Sequence, residues 1–308
     1  MEHFYQAFLW RLLIACCLLA ALVALGGHLV ATGRISALQG PGLGRRVTLI
    51  ALTSGLATAA CLYPLLVNLY RRVFRFADDV VTSNLELASV MGAAIAQRDS
   101  ETGEHNFRVT LYAFRLAEAW GDPGLDMRAL LLGAFLHDVG KIGIRDAILL
   151  KPGPLTEEEM AAMRTHVGLG LKIIGSSTWL QLARNVIEGH HERFDGKGYP
   201  RGLTGTAIPL EARLFSIVDV FDALTSERPY KRPLPLAESL TCIQGAAGSQ
   251  FDPDMVAAFC RIAGDAYRAI HPATETELQD MLTGLVDRHR PALYDARPAS
   301  PAVFNSIC

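Results

Sequence analysis

The sequence predicts an all-α protein with an N-terminal hairpin of two transmembrane helices, a helical linker and a soluble helical bundle. Three observations carry that expectation. Two long apolar runs fill the first seventy residues, helix-period apolar stripes follow from Val73 to about His289, and no strand-like alternation is long enough to compete.

Phe8 to Ala31 is interrupted by a single charge, Arg11, and Val47 to Tyr70 by none. Each exceeds the roughly 20 apolar residues needed to cross a hydrocarbon core. Glu2, the length of the first run and the lack of a small-x-small site after it set that run apart from a cleaved signal peptide. The polar loop Thr32 to Arg46 returns the chain to the side where it began. Arg71, Arg72 and Arg75 favour a cytoplasmic exit, although Arg34, Arg45 and Arg46 lie in the loop and weaken the bias. Residues 1–72 thus read as a membrane hairpin.

Residues 73–97 carry Val73, Phe76, Val80, Ser83, Leu87, Val90 and Ala94 at alternating spacings of three and four. That is the spacing of a coiled-coil seam, with Ser83 its weak point. Since no Gly or Pro falls between Arg71 and Met91, the second membrane helix is expected to continue into this linker. The stripe either caps the soluble part or forms a parallel stalk with a second copy, a homodimer.

The soluble part, residues 84–289, reads as helix after helix, with loops at 140–155 and 192–207. Phe107 to Trp120 ends at Gly-Asp-Pro-Gly, and Arg128 to Leu136 is apolar and leads into His137. Thr156 with Glu159 is a capping box, and Ile208 to Leu224 is a further long apolar run. Residues 290–308 contain three prolines and no periodicity, so they read as an irregular tail. Lys and Arg number 29 against 31 Asp and Glu. This balance argues against a DNA or RNA partner, which leaves a basic excess. The six cysteines form no C-x-x-C and imply neither a disulfide framework nor a zinc ribbon.

Of nine histidines, five lie between 105 and 191, each beside an acid, a glycine turn or another histidine. Glu101 and His105 are four apart and share one face if that segment is helical. His137 and Asp138 are adjacent, and that carboxylate can bridge two ions. His166 falls in the helix begun by the capping box. His190 and His191 end the helix from Trp179, and their side chains diverge by about 100° if helical geometry persists. Asp219 is a lone acid in an apolar helix, costly to bury unless it is paired or bound to a metal. Imidazole and carboxylate without thiolate suit iron, manganese or zinc. The set exceeds what one tetrahedral ion needs, so two or more ions are implied. Paired ions activate water and neutralise a phosphoryl oxygen, which points to phosphoester hydrolysis.

The stretches HDVGKIG, HHERFDGKGYP and DVFDALTSERPYKRP resemble the HD-GYP family, a branch of the HD-domain metal-dependent phosphohydrolases, over about Asn84 to Arg288. The resemblance implies an HD-type helical bundle that hydrolyses cyclic di-GMP in bacteria to pGpG, GMP or both. It implies that His105, His137, Asp138 and Asp219 hold one metal, with Asp138 bridging to a second held by His166, His190 and His191. Glu101 matches a ligand to a third ion in trinuclear members. Two or three divalent ions are therefore expected, iron or manganese ahead of zinc. Lys141 would set an ammonium near the scissile phosphate. Arg228 and Lys231 match residues that contact the substrate phosphates, and Tyr199 would stack on a base or pack its loop. Asp222 reads as a structural hydrogen-bonding residue, with Arg228 as one partner for it. Arg145 and Val167 stand where the family usually has proline, and neither is a ligand. Because this substrate is made from GTP inside the cell, the resemblance favours the bacterial inner membrane with the catalytic domain in the cytoplasm. Signalling proteins are candidate partners. A non-hydrolysing cyclic-dinucleotide receptor and a phosphohydrolase for another nucleotide are the alternatives.

Overall fold

In the computed structural model the described residues are 43–98, 103–227 and 232–294, with scattered positions between 10 and 32. The first apolar run lies largely outside them, as do Glu101, Arg228 and Lys231 and the tail from 295. Two compact units are present, Met1–Ser83 and Asn84–Cys308.

Helix α1 runs unbroken from Leu43 to Ala96 over 54 residues and contains Pro64. Its continuity past Arg71 follows from the lack of breakers there. Ala51–Phe76 is the one stretch among the described residues long and apolar enough to cross a membrane, with 26 residues and none of it buried. Leu49, Leu56, Leu65, Leu69 and Phe76 stand exposed in the first unit. Of the 3–4 stripe, Val73, Val80, Leu87 and Val90 are exposed as well.

The second unit is built around helices buried on nearly every face, the mark of a core helix. These are α2 (Gly103–Trp120), α3 (Met127–Leu136) and α8 (Leu210–Thr225). In α2, Val109 and Leu111 to Phe114 are buried; in α3, every residue from Ala129 to Leu136 is. Asp126 starts α3 by accepting from the Arg128 amide at 2.9 Å, satisfying donors the helix cannot. Tyr112 of α2 meets Phe221 of α8 edge to face at 5.3 Å, and Phe221 meets Phe259 of α10 (Pro253–Ile270) at 4.9 Å.

Shorter elements carry the chain around this core. A 3-10 turn, Val139–Gly143, leads to α4 (Asp146–Leu149), then to α5 (Glu157–Arg164) and α6 (His166–Ile174). The Thr156–Glu159 capping box forms as expected, with both reciprocal bonds present. The helix it starts nevertheless stops at Arg164, and His166 opens a new one. The Thr165 hydroxyl bonds back to the Ala162 carbonyl and closes the first helix there. A 3-10 turn, Leu180–Ala183, precedes α7 (Arg184–Gly189), and α9 (Leu236–Gly245) and α11 (Glu275–Tyr294) complete the set. α11 continues through 290–294, where the prolines suggest irregular chain. A proline one turn from a helix end removes one ladder bond and leaves the rest. Among the described residues no strand forms; only isolated bridges occur, such as Asp195 with Thr204.

Candidate metal centre

Five elements deliver the histidines and aspartates to one place. His105 comes from the first turn of α2, and His137 and Asp138 from the end of α3. His166 opens α6, His190 and His191 follow α7, and Asp219 comes from the middle of α8. They sort into two groups, His105–His137–Asp219 and Asp138–His166–His190–His191, and within each group the ligand atoms lie within 4.8 Å of one another.

Asp138 joins the two groups. Its Oδ2 lies 3.1 Å from His137 Nε2, while its Oδ1 lies 3.3 Å from His166 Nε2 and 3.9 Å from His190 Nε2. In the first group, His105 Nε2 is 3.6 Å from Asp219 Oδ1. The rings of His190 and His191 lie 4.0 Å apart, so the pair converges instead of diverging. The reason is local: α7 ends at Gly189, His190 is its C-cap, and His191 has already left helical geometry.

The opposite ring nitrogens determine the tautomers. His137 Nδ1 is 2.9 Å from the Ala134 carbonyl, His166 Nδ1 is 2.8 Å from that of Met163, and His190 Nδ1 is 3.0 Å from that of Val186. A carbonyl only accepts, so Nδ1 carries the proton and Nε2 keeps its lone pair. All three rings thereby aim an acceptor inward. Asp138 Oδ1, His166 Nε2 and His190 Nε2 are buried and lack a hydrogen-bond partner among the described residues. Acceptors crowded together with no donor among them fit a cation, which every one of them could ligate.

The electrostatics point the same way. Burial holds the His190 and His166 rings below the ordinary histidine value and brings His191 down to about 3, so the imidazoles are neutral. Burial would raise the Asp138 carboxyl, but the Lys141 ammonium and then His137 outweigh it and hold it well below the usual range. Lys141 Nζ lies 2.7 Å from Asp138 Oδ2. Neutral imidazole and ionised carboxylate are the states that bind metal.

The turn that carries Lys141 is held from both sides. Gly140 lets it approach α6, since a Cβ there would fall 1.8 Å from the His166 carbonyl oxygen. On the other side Arg98 donates to the Ile142 carbonyl, to the Ile144 carbonyl at 2.9 Å and to Asp146 at 2.7 Å. Tyr199 stacks on His191 at 4.7 Å between ring centres, and the Arg164 guanidinium sits over the same ring at 4.9 Å. Burial pushes the Tyr199 hydroxyl up to about 12. The ring, expected either to stack on a base or to pack its loop, is engaged with a metal-ligand candidate.

Two contributors, Arg108 and Glu192, are not apparent from the sequence. Arg108, buried on α2, forks onto Asp222 with Nε to Oδ1 at 2.6 Å and Nη2 to Oδ2 at 3.0 Å. Asp222 thus pairs with Arg108 and with His105, whose Nδ1 is 2.7 Å away. Glu192, buried beside His191, accepts from the Arg201 and Leu203 amides at 2.7 and 2.9 Å and pins the returning loop. An arginine three residues after a histidine in an apolar helix is the only visible hint of the first.

Comparison with known proteins agrees with this geometry. A family model described as an HD domain matches residues 89–255, more than half of the chain. The chain belongs to the HD-domain family. Its HDVGKIG and HHERFDGKGYP motifs put it in the HD-GYP branch, in accord with its curated relatives. A cyclic di-GMP phosphodiesterase of Thermotoga maritima is 40% identical over 188 residues, 59% of this chain and 51% of the relative. The cyclic di-GMP phosphodiesterase response regulator RpfG of Xanthomonas campestris is 40% identical over 196 residues, 63% of this chain and 52% of its own. A 3'3'-cGAMP-specific phosphodiesterase 2 of Vibrio cholerae is 38% identical over 180 residues, 58% of this chain and 34% of its own. The chain spans about half the length of the first two relatives. HD-domain phosphohydrolases use divalent metals, and the two clusters here are where this HD-domain chain could hold them.

Proposed function

We propose that this chain is a divalent-metal-dependent phosphodiesterase that hydrolyses cyclic di-GMP to pGpG, GMP or both. The observation that carries the reading is Asp138, one carboxylate with an oxygen turned to each of two ligand clusters. That arrangement suits two adjacent ions, and the relatives named as cyclic di-GMP phosphodiesterases supply the substrate class.

His105, His137, Asp138 and Asp219 would hold one ion, and Asp138, His166, His190 and His191 the other. Glu101 would complete a third. A donor set of nitrogen and oxygen suits iron, manganese or zinc, and the resemblance to the HD-GYP family puts iron or manganese first. When bound, such ions activate water at neutral pH and neutralise a phosphoryl oxygen. The chain's own residues supply the rest. Asp138 stays ionised through Lys141, whose ammonium stands ready for charge developing on the phosphate. Arg228 and Lys231 would hold the phosphates, as guanidinium and ammonium groups do. Water adds to phosphorus, the bond to the ribose 3'-oxygen breaks, and that oxygen leaves with a proton.

The setting belongs to the same proposal. The exposed helix Ala51–Phe76 and the apolar run Phe8 to Ala31 would anchor the chain in the bacterial inner membrane, with the catalytic unit in the cytoplasm. The exposed 3–4 stripe would pair two copies in parallel, and signalling proteins would act on that assembly.

The test is turnover by the full chain in detergent, loaded with manganese or ferrous iron, with products separated by chromatography. Cyclic di-GMP should be linearised, and Asp138→Asn should cost on the order of 100-fold or more. A fully loaded chain that binds cyclic di-GMP without cleaving it would make the protein a receptor. The relative specific for 3'3'-cGAMP favours one second reading, cleavage of that mixed dinucleotide. Faster turnover of 3'3'-cGAMP than of cyclic di-GMP in the same assay would establish it.

A further inference from the structure

Asp222 lies three residues after Asp219 on α8, and its side chain is 1% exposed. Its Oδ2 faces His105 Nδ1 at 2.7 Å, and both its oxygens are gripped by the Arg108 guanidinium. Arg108 is held in turn by Glu104 at 3.2 Å and by the Ser226 hydroxyl at 3.0 Å. The guanidinium only donates, and it donates to both Asp222 oxygens, so the carboxylate accepts from His105 and the proton on that ring sits on Nδ1. Nε2, the nitrogen turned toward Asp219, is then the one left to ligate.

His137, His166 and His190 use backbone carbonyls for this purpose; His105 uses a carboxylate instead. A side chain from α8 fills that role across 117 positions of sequence.

We infer that Asp222, locked by Arg108, is the positioning residue that fixes His105 as an Nε2 ligand of the first cluster. The inference rests on the metal-centre reading given above. It makes Asp219 and Asp222 a pair on one helix face, one offered to the ion and the other to the ligand behind it.

Asp222→Leu is the sharpest test because it removes both acceptors at close to the same volume. His105 Nδ1 then has no acceptor from α8, and nothing holds the ring proton there. Two readouts on the full chain follow. Manganese per chain, counted by elemental analysis, should fall by one in D222L, with helix content by circular dichroism unchanged. In metal-free protein, nitrogen NMR should report His105 with its proton on Nδ1 in the parent and shared between the two nitrogens in D222L. R108K, which keeps the charge and loses the fork, should weaken manganese at one site by roughly 10- to 100-fold, and it serves if D222L does not fold. A folded D222L that keeps every ion at parental affinity overturns the inference, as does a parent with the His105 proton on Nε2. A parent that binds no manganese but carries the proton on Nδ1 removes the metal-centre reading and leaves Asp222 as the residue that sets the tautomer.

Discussion

A single carboxylate serving two clusters must be ionised and correctly turned, and Lys141 secures both conditions at 2.7 Å. Replacing Lys141 with methionine keeps the bulk of the stem and removes the ammonium. We expect both metals to stay bound and kcat to fall about 100- to 1,000-fold, the range typical of one lost electrostatic stabiliser. Elemental analysis alongside single-turnover kinetics checks this. Loss of metal in K141M would show that Lys141 acts only through Asp138. At this scale the sequence is informative about which residues carry chemistry, because imidazole and carboxylate next to glycine turns have few structural uses. It is uninformative about which atom of each points inward. Tyr199 illustrates the gap: its spacing to His191 is visible in the sequence, but the stacking that joins them depends on the turn between.

The elements succeed by ending where they do. Helix α7 ends at Gly189, so that two consecutive histidines converge, and α5 breaks at Thr165, so that His166 begins a fresh helix. The capping box at Thr156 is legible because all its parts lie within four residues. Those two helix ends are not, since threonine and histidine occur inside helices as well as at their ends, and only the folded turn shows the Thr165 hydroxyl on the Ala162 carbonyl. Gly140 is the tightest of these joints. Gly140→Ala would drive a methyl into the His166 carbonyl, and a backbone group cannot step aside as a side chain can. The expected cost is about 3 kcal/mol or more in denaturant unfolding, at the upper end for overpacking. Thr156→Ala, which removes only a cap on an exposed helix, should cost about 1 kcal/mol. Equal effects of the two would mean that the turn can move away from α6.

For the whole molecule, the division between an exposed apolar helix and a helical bundle is legible in composition alone. The long-range pairing is not. Arg108 and Asp222 are 114 positions apart, and nothing local to either marks its partner. One chain shows which residues need a partner, whereas only the fold shows which partner they take. Three of the inward-facing histidines bond through Nδ1 to carbonyls in the last turn of a helix, α3, α5 and α7. Carbonyls of a last turn have the fewest ladder donors, and the Val186 carbonyl takes the His190 amide as well, so each imidazole is tied to the end of the helix it follows. Metal-free and metal-loaded protein should accordingly give superimposable far-ultraviolet circular dichroism, while loading raises the melting temperature. A large gain of helix on loading would contradict this. A cage that stands before its ion arrives cannot select by folding around it. Choice among manganese, iron and zinc then falls to donor chemistry and to whichever ion the cell supplies.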